Sequence, residues 1–474
     1  MPRKSSPRKT SSVPLRARSR GASSAIDSDP IKHVVVLCLE NRPFDQMLGG
    51  FMRVYPKLEG IDPTHPGQNA VAPGEVYRQE RMTYRMTFPD PKHDHEAVVA
   101  QLQDNNGGFV RNYAENYSDT TPEQRKQIMG YYGLGSLPAL HELARHFVIC
   151  DQWFSSVPGP TWPNRLFLLS GTSQGRVKMF EGLGQLNLHS YDQDTIFDRL
   201  NAKRISWRVY HGDFPLTLLF ANQRTWKNRQ GLRDLDYFEG DAAGSEAEFP
   251  AFTFIEPDYI GPEASDDHPP HDVLKGEWLI ALVYNALRNN RALWETTLLV
   301  ILFDEHGGFY DHVVPTPHGT VPPDDHAEEY DFTQLGLRVP ALLVSPWVDP
   351  GVVNTLFDHT SLLRYLADKW GFEPLGQRAA IANSFASAIR ATGDARTDTP
   401  EHLTVTMPPG TPTSARVRTE NEEAIILLTQ ELSQHVVGEP GRIVRRVANA
   451  MANSPRVRDD VRRILRAYVA SAEQ

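Results

Sequence analysis

The chain has 474 residues, of which 40% are hydrophobic and 23% charged, with a formal net charge of -10. Those proportions are those of a globular protein, and the acidic balance argues against a general nucleic-acid binder. The two cysteines, Cys38 and Cys150, lie in apolar segments and read as buried reduced thiols; a bridge between the two stays open, but a disulfide framework does not.

Residues 1–29 form a basic, Ser-rich tail carrying Arg3, Lys4, Arg8, Lys9, Arg16, Arg18 and Arg20. No apolar run follows, so a normal secretory signal is not expected, leaving the cytoplasm or a signal-independent export route. The tail reads as disordered, or as a segment touching anionic lipid. No apolar stretch is long enough to span a bilayer. Residues 30–390 read as the catalytic unit. His33–Leu39 is an apolar run that stops at Glu40-Asn41, a strand followed by a helix containing Phe44, Met47 and Leu48. Residues 56–92, rich in Pro, Gly and Asp, form a long excursion. A helix is expected from Asp94 to Gln103, and a strand within Phe147–Cys150.

From Ser156 to Gly171 a constrained turn passes into a helix, with Pro163 in the first turn and Thr161 at the N-terminus. Strands are expected at residues 205–210, 251–256 and 339–346, and helices at residues 276–287 and 360–370. Leu299–Phe303 is a second unbroken apolar run, and it ends at Asp304-Glu305 followed by His306-Gly307-Gly308. Buried strands alternating with helices predict an α/β fold: a mostly parallel central sheet with helices on both faces. Residues 391–474 read as a linker and a C-terminal helical extension, with helices at residues 420–437 and 456–469. The last helix is basic and fits packing on the core, a partner or a membrane surface.

In open α/β sheets ligands bind beyond the carboxyl ends of the strands. Asp304 and Glu305 stand there, and adjacent carboxylates repel unless a proton or cation joins them. Glu40, Asn41 and Thr161 add a carboxylate, an amide and a hydroxyl, an oxygen-rich set for a divalent cation: calcium, magnesium or zinc. A cation beside Thr161 would make its hydroxyl a competent nucleophile, and a helix N-terminus there suits phosphate. Taken singly, each of these residues has a plainer reading: Thr161 as a helix cap, Asn41 as a turn former, and His93, His95, His211 and His268 as loop or core-edge histidines.

Glu40-Asn41-Arg42-Pro43-Phe44-Asp45 resembles the ENRSFD motif of the bacterial phospholipase C and acid phosphatase family of phosphoesterases. Residues 159–165, Gly-Pro-Thr-Trp-Pro-Asn-Arg, resemble its GPTxPNR motif, and residues 304–313 its DEHGGFYDHV motif. Val339-Pro340, Ser345-Pro346 and His359-Thr360-Ser361 match in type and order. The resemblance, from Ile31 to Phe372, implies an alkaline-phosphatase-like core with Glu40, Asn41, Thr161, Asp304 and Glu305 around a metal. It implies attack by Thr161 on phosphorus and a phosphothreonine intermediate, with Asn41 also bonding a phosphate oxygen. The family's histidines map onto His93, His268 and His211, with His95 the competitor for the first position; their implied roles are phosphate contact and protonation of the leaving oxygen.

Pro43 stands where the family commonly has Ser, and the C-terminal extension is helical where large phospholipase members carry β-domains. The expected function is a phospholipase C that releases diacylglycerol and a phosphorylated headgroup, with peripheral membrane contact. Thr161 favours that branch, because the phosphatase branch tends to have Ser there. An acid phosphatase using the same site, and a non-catalytic lipid- or partner-binding protein, are the alternatives. Trp153, Trp162, Tyr131 and Tyr132 are candidate faces for a choline cation.

Overall fold

The structure is a computed structural model that describes residues 29–179, 191–327, 330–406, 418–451 and 454–471. The basic tail and the stretch of the linker at residues 407–413 lie outside the described residues.

Within them the principal strands are β1 (His33–Leu39), β2 (Val148–Cys150), β3 (Trp207–His211), β4 (Leu232–Asp234), β5 (Phe252–Glu256), β6 (Thr297–Phe303), β7 (Ala341–Val344) and β8 (Gly351–Val353). They form one sheet of order β8-β2-β7-β6-β1-β5-β3-β4. All neighbours are parallel except the two pairs made by β7, which runs against β6 and β2. Every residue of β1, β5, β6 and β7 is buried, so both faces of the sheet's centre are covered. This explains the unbroken Val/Leu/Ile runs: a strand covered on both faces has no reason to alternate. Full burial of each such side chain contributes about 1.5–3 kcal/mol.

The helices used below are α1 (His95–Gln101), α2 (Pro138–His146), α3 (Thr161–Ser170), α4 (Val273–Asn289), α5 (Thr360–Trp370), α6 (Glu420–Gln434), α7 (Gly438–Met451) and α8 (Val457–Ala470). Asp94 caps α1 by accepting from Ala97 N, and Asp358 accepts from Thr360 N at the start of α5. The sequence reading missed α7, because Gly438-Glu439-Pro440-Gly441 looks like a breaker. In the structure these residues form its first turn, where a proline's absent N–H costs nothing.

Residues 56–92 contain the antiparallel pair Gln68–Ala72 and Glu75–Arg78, then Glu80–Met82 beside Gly130–Tyr132. The basic helix α8 packs on the segment around β4 and β5. Arg458 pairs with Asp258 at 2.8 Å, Arg462 with Asp236 at 2.6 Å and Arg466 with Asp234 at 2.7 Å. Cys38 and Cys150 are both buried free thiols. Among the described residues no helix is long and apolar enough to cross a membrane.

Candidate active site

The register of β1 on β6 sets Leu39 opposite Phe303, so the next residues, Glu40 and Asp304, emerge side by side. Asp304 N donates to Leu39 O and Asn41 N donates back to Asp304 Oδ1 at 3.1 Å, which locks the two strand ends together. Asn41 adopts a positive φ of 60°, a conformation asparagine tolerates better than most residues. Gly307 lies so close that a Cβ there would collide with the Asn41 backbone. The second segment's glycines are therefore a requirement of close approach as well as of turning.

Thr161 is the first residue of α3 and is 1% exposed. Asn164 sets the preceding turn: its Oδ1 accepts from Val157 N and its Nδ2 donates to the carbonyls of Val157, Gly159 and Pro160. The Thr161 hydroxyl donates to Asn41 Oδ1 at 3.3 Å. Asn41 Nδ2 lies 3.0 Å from His93 Nε2, and His93 Nδ1 donates to Pro91 O. The His268 ring stands 5.3 Å from the His93 ring, edge to face. Burial, with His93 and His271 nearby, keeps His268 well below the usual histidine range. Asp90 joins the two rings from the more open side, and burial lifts its carboxyl to about 7.

Glu40, Asn41, Thr161, His93, His268, Asp304 and Glu305 are thus drawn to one end of the sheet. His211 is not brought to this group. It ends β3, opposite Glu256, and lines a separate cleft with Asp234, Leu465 and Arg466. Burial pushes it down to about 4. His95 Nδ1 donates to Pro158 O, bracing the turn before Thr161 rather than meeting Asn41. Trp153, Trp162, Tyr131 and Tyr132 are all buried, so the expectation that they offer open faces to choline is corrected. Trp153, for example, packs against Phe357 and Phe385.

Arg165 was not foreseen, although it lies one turn beyond Thr161 and so shares its helix face. Its Nε donates to Asp304 Oδ2 at 3.0 Å and its Nη2 to Glu40 Oε1 at 3.2 Å, while Nη1 stands 3.8 Å from Glu256 Oε2. One guanidinium therefore serves three buried carboxylates, with Glu305 adjacent as a fourth. Burial raises the Glu40 and Asp304 carboxyls, Asp304 to about 6; Arg165 opposes the rise and neighbouring acids add to it. Glu305 Oε2 accepts from Gly307 N, but Glu305 Oε1 is buried without a hydrogen-bond partner. Excess buried negative charge and an orphaned carboxylate oxygen are what an oxygen-ligated cation would relieve. His359, part of a matched segment but given no role from the sequence, holds the Asp304 carbonyl at 2.6 Å through Nε2.

The end of the third motif serves the scaffold. Asp311 and Asp45 clasp the fully buried Arg338, at 2.9 and 3.0 Å, and His312 Nδ1 lies 2.8 Å from Asp45 Oδ2. Burial alone would lower the His312 pKa, but the charge and hydrogen bond of Asp45, with Asp311 behind, raise it to about 9. Because the folded value exceeds the usual 6.5, this contribution is complete below about pH 6.5 and is lost as pH rises through about 9. Urea unfolding at pH 6 and pH 9.5 is expected to show His312→Gln flattening that decline. The difference from the parent protein should be on the order of 2 kcal/mol after discounting for partial exposure.

A profile of the Phosphoesterase family matches residues 31–373. Non-specific phospholipase C6 of Arabidopsis thaliana is 36% identical over 402 residues, 79% of this chain and 75% of that protein. Non-specific phospholipase C1 of the same plant is 29% identical over 94% of this chain and 87% of its own length. Phospholipase C B of Mycobacterium tuberculosis is 29% identical over 72% of this chain and 73% of its own. Among solved structures, a protein in the alkaline phosphatase superfamily from Vibrio parahaemolyticus aligns with a TM-score of 0.32 and 12% identity, covering 71% of this chain and 77% of that one.

Proposed function

The chain belongs to the Phosphoesterase family, and from that premise we propose that it is a phospholipase C, cutting phospholipids on the glycerol side of phosphate. The observation that carries the reading is the buried Thr161 hydroxyl at a helix N-terminus, bonded to Asn41 beside the Asp304-Glu305 pair. Thr161 Oγ1 attacks phosphorus, the bond from phosphorus to the glycerol oxygen breaks, and diacylglycerol leaves. The headgroup phosphate stays on Thr161 until water hydrolyses the phosphothreonine and frees the phosphorylated headgroup. Asn41 bonds a phosphate oxygen, and the positive end of the α3 dipole, where Thr161 stands, favours the anion. His93 and His268 contact phosphate, and His93 gives the proton to the departing oxygen: burial would lower its pKa, but the charges of Glu305 and Asp90 raise it to about 9.

Glu40, Asn41, Thr161, Asp304 and Glu305 would hold a divalent cation. Their all-oxygen donor set and the orphaned Glu305 Oε1 fit a hard ion such as calcium or magnesium, and zinc also accepts carboxylates. When bound, such an ion supplies positive charge that eases ionisation of a neighbouring hydroxyl and the build-up of charge on phosphate. Arg165 meanwhile fixes Glu40 and Asp304 from the other side.

A lipid substrate is supported by the rim next to the site. Tyr84, Met86 and Phe88 are 45%, 38% and 52% exposed, immediately before Asp90 and His93. Arg85 among them pairs with Asp272, which follows the His268 loop. Aromatic and apolar side chains interleaved with basic ones suit a phospholipid surface.

The test is product analysis on phosphatidylcholine vesicles, with p-nitrophenyl phosphate in parallel. Diacylglycerol and phosphocholine are expected; free phosphate from the monoester with untouched lipid would make the protein a phosphatase instead. Phe88→Asp is expected to slow hydrolysis of vesicles several-fold while sparing a short-chain monomeric lipid.

A further inference from the structure

His211, which the phosphoester site leaves aside, lines a separate cleft of about 300 Å³ between the β3–β4 edge of the sheet and α8. Leu232, Leu465 and Val469 give the cleft an apolar wall. Trp226 and Tyr237, both exposed, add aromatic surface.

The charges that line the cleft do not balance. Arg466 is answered by Asp234 at 2.7 Å, and Arg233 by Asp241 at 3.0 Å. Arg229 is only 3% exposed, yet among the described residues it meets no carboxylate. Its Nη1 donates to Tyr468 O at 2.6 Å and to Ser471 Oγ at 3.3 Å. Its Nε is buried without a hydrogen-bond partner, and no described group accepts from Nη2. The guanidinium lies over the Tyr468 ring at 4.5 Å and the Trp226 ring at 5.7 Å, which fixes its plane. A buried guanidinium without a counter-charge is costly. Burial keeps His211 neutral near pH 7, so the cleft carries one uncompensated positive charge.

We propose that this cleft is a second ligand site, apart from the phosphoester centre, for a monocarboxylate that carries a small apolar body. The carboxylate meets the Nε–Nη2 edge of Arg229, and the apolar body lies along Leu232, Leu465 and Val469. A planar carboxylate matches two parallel N–H groups, and its single charge matches the single imbalance. A phosphate dianion would overfill it. The volume is at the lower end for a small-molecule pocket, which limits the size of the body. The site stands independently of the phosphoester reading.

The test is calorimetric titration of the full-length protein with sodium octanoate, with acetate, octyltrimethylammonium and octyl phosphate in parallel. Saturable one-to-one binding of octanoate is expected. Acetate lacks the body and octyltrimethylammonium the negative charge, and each should bind at least about tenfold more weakly. Arg229→Gln should weaken octanoate binding by roughly 30-fold or more. Val469→Glu sets an acid on the cleft wall, and should abolish binding with the melting temperature at or above that of the parent, which separates lost binding from lost folding. Both variants should leave turnover of a short-chain phospholipid unchanged. Phe88→Asp, at the rim of the phosphoester site, should leave octanoate affinity unchanged. Octyl phosphate binding more tightly than octanoate would overturn the carboxylate assignment. Octanoate that does not bind the parent, or that binds Arg229→Gln and Val469→Glu as it binds the parent, would overturn the site itself. A parent protein that hydrolyses no phosphoester would remove the proposed activity and leave the titration as decisive.

Discussion

Thr161→Ala should lower turnover on phosphatidylcholine by roughly 10⁴-fold or more, the scale of loss when a covalent nucleophile is removed. The fold should hardly register the change. Pro160 occupies the cap position of α3, so no cap is lost, and the hydroxyl makes one hydrogen bond, to Asn41 Oδ1. Losing one such bond costs about 1 kcal/mol. Thr161→Ser keeps an oxygen on the same Cβ and should retain measurable turnover. Acid quenching of the parent protein during turnover should trap phosphate on Thr161, detectable by mass spectrometry, and the alanine variant should trap none. A fully active alanine variant would remove the covalent route, and a biological effect that survived an inactive one would favour the lipid-binding alternative.

Arg165→Met is expected to be the most destabilising single change in the site. The arginine is 2% exposed and bonds to Asp304 and Glu40, with Glu256 at 3.8 Å, all three acids being fully buried. Methionine matches the stem but leaves these carboxylates facing one another in a water-poor setting. Removing one partner of a buried ion pair costs roughly 3–5 kcal/mol, and here one guanidinium answers more than one acid. Urea denaturation should show the midpoint shifting at an unchanged slope. Folded Arg165→Met protein would also be inactive, because Glu40 and Asp304 would swing or take up protons. Arg165→Lys should rescue poorly, since a single ammonium cannot reproduce the fork that reaches both acids. A variant with parental stability would show that the acids are neutralised by other means.

Much of the site was legible in the chain because its chemistry sits where local patterns break. The runs His33–Leu39 and Leu299–Phe303 read as buried strands, and each ends abruptly in acids. Pro163 announced the helix that begins at Thr161. Where sequence reading failed, it failed on partners and on the helix α7. Tyr131, Tyr132, Trp153 and Trp162 carried no mark of burial, and the breaker-like start of α7 disguised a helix. His211 resembled a site histidine in position along the chain, but β3 lies two strands from β1 and directs it towards Asp234.

The amino-acid order alone determined most of the central strands and several helices, and that carboxylates, an amide and a hydroxyl stand at their ends. Hydrophobic periodicity and turn chemistry act over a few residues, and so are written locally. Tertiary structure alone decided which of those ends meet. The Leu39–Phe303 register sets Glu40 beside Asp304, Arg165 gathers acids more than a hundred residues away, and Asn421 crosses 381 positions to reach Glu40. Such contacts follow from strand order and packing, and no spacing along the chain encodes them.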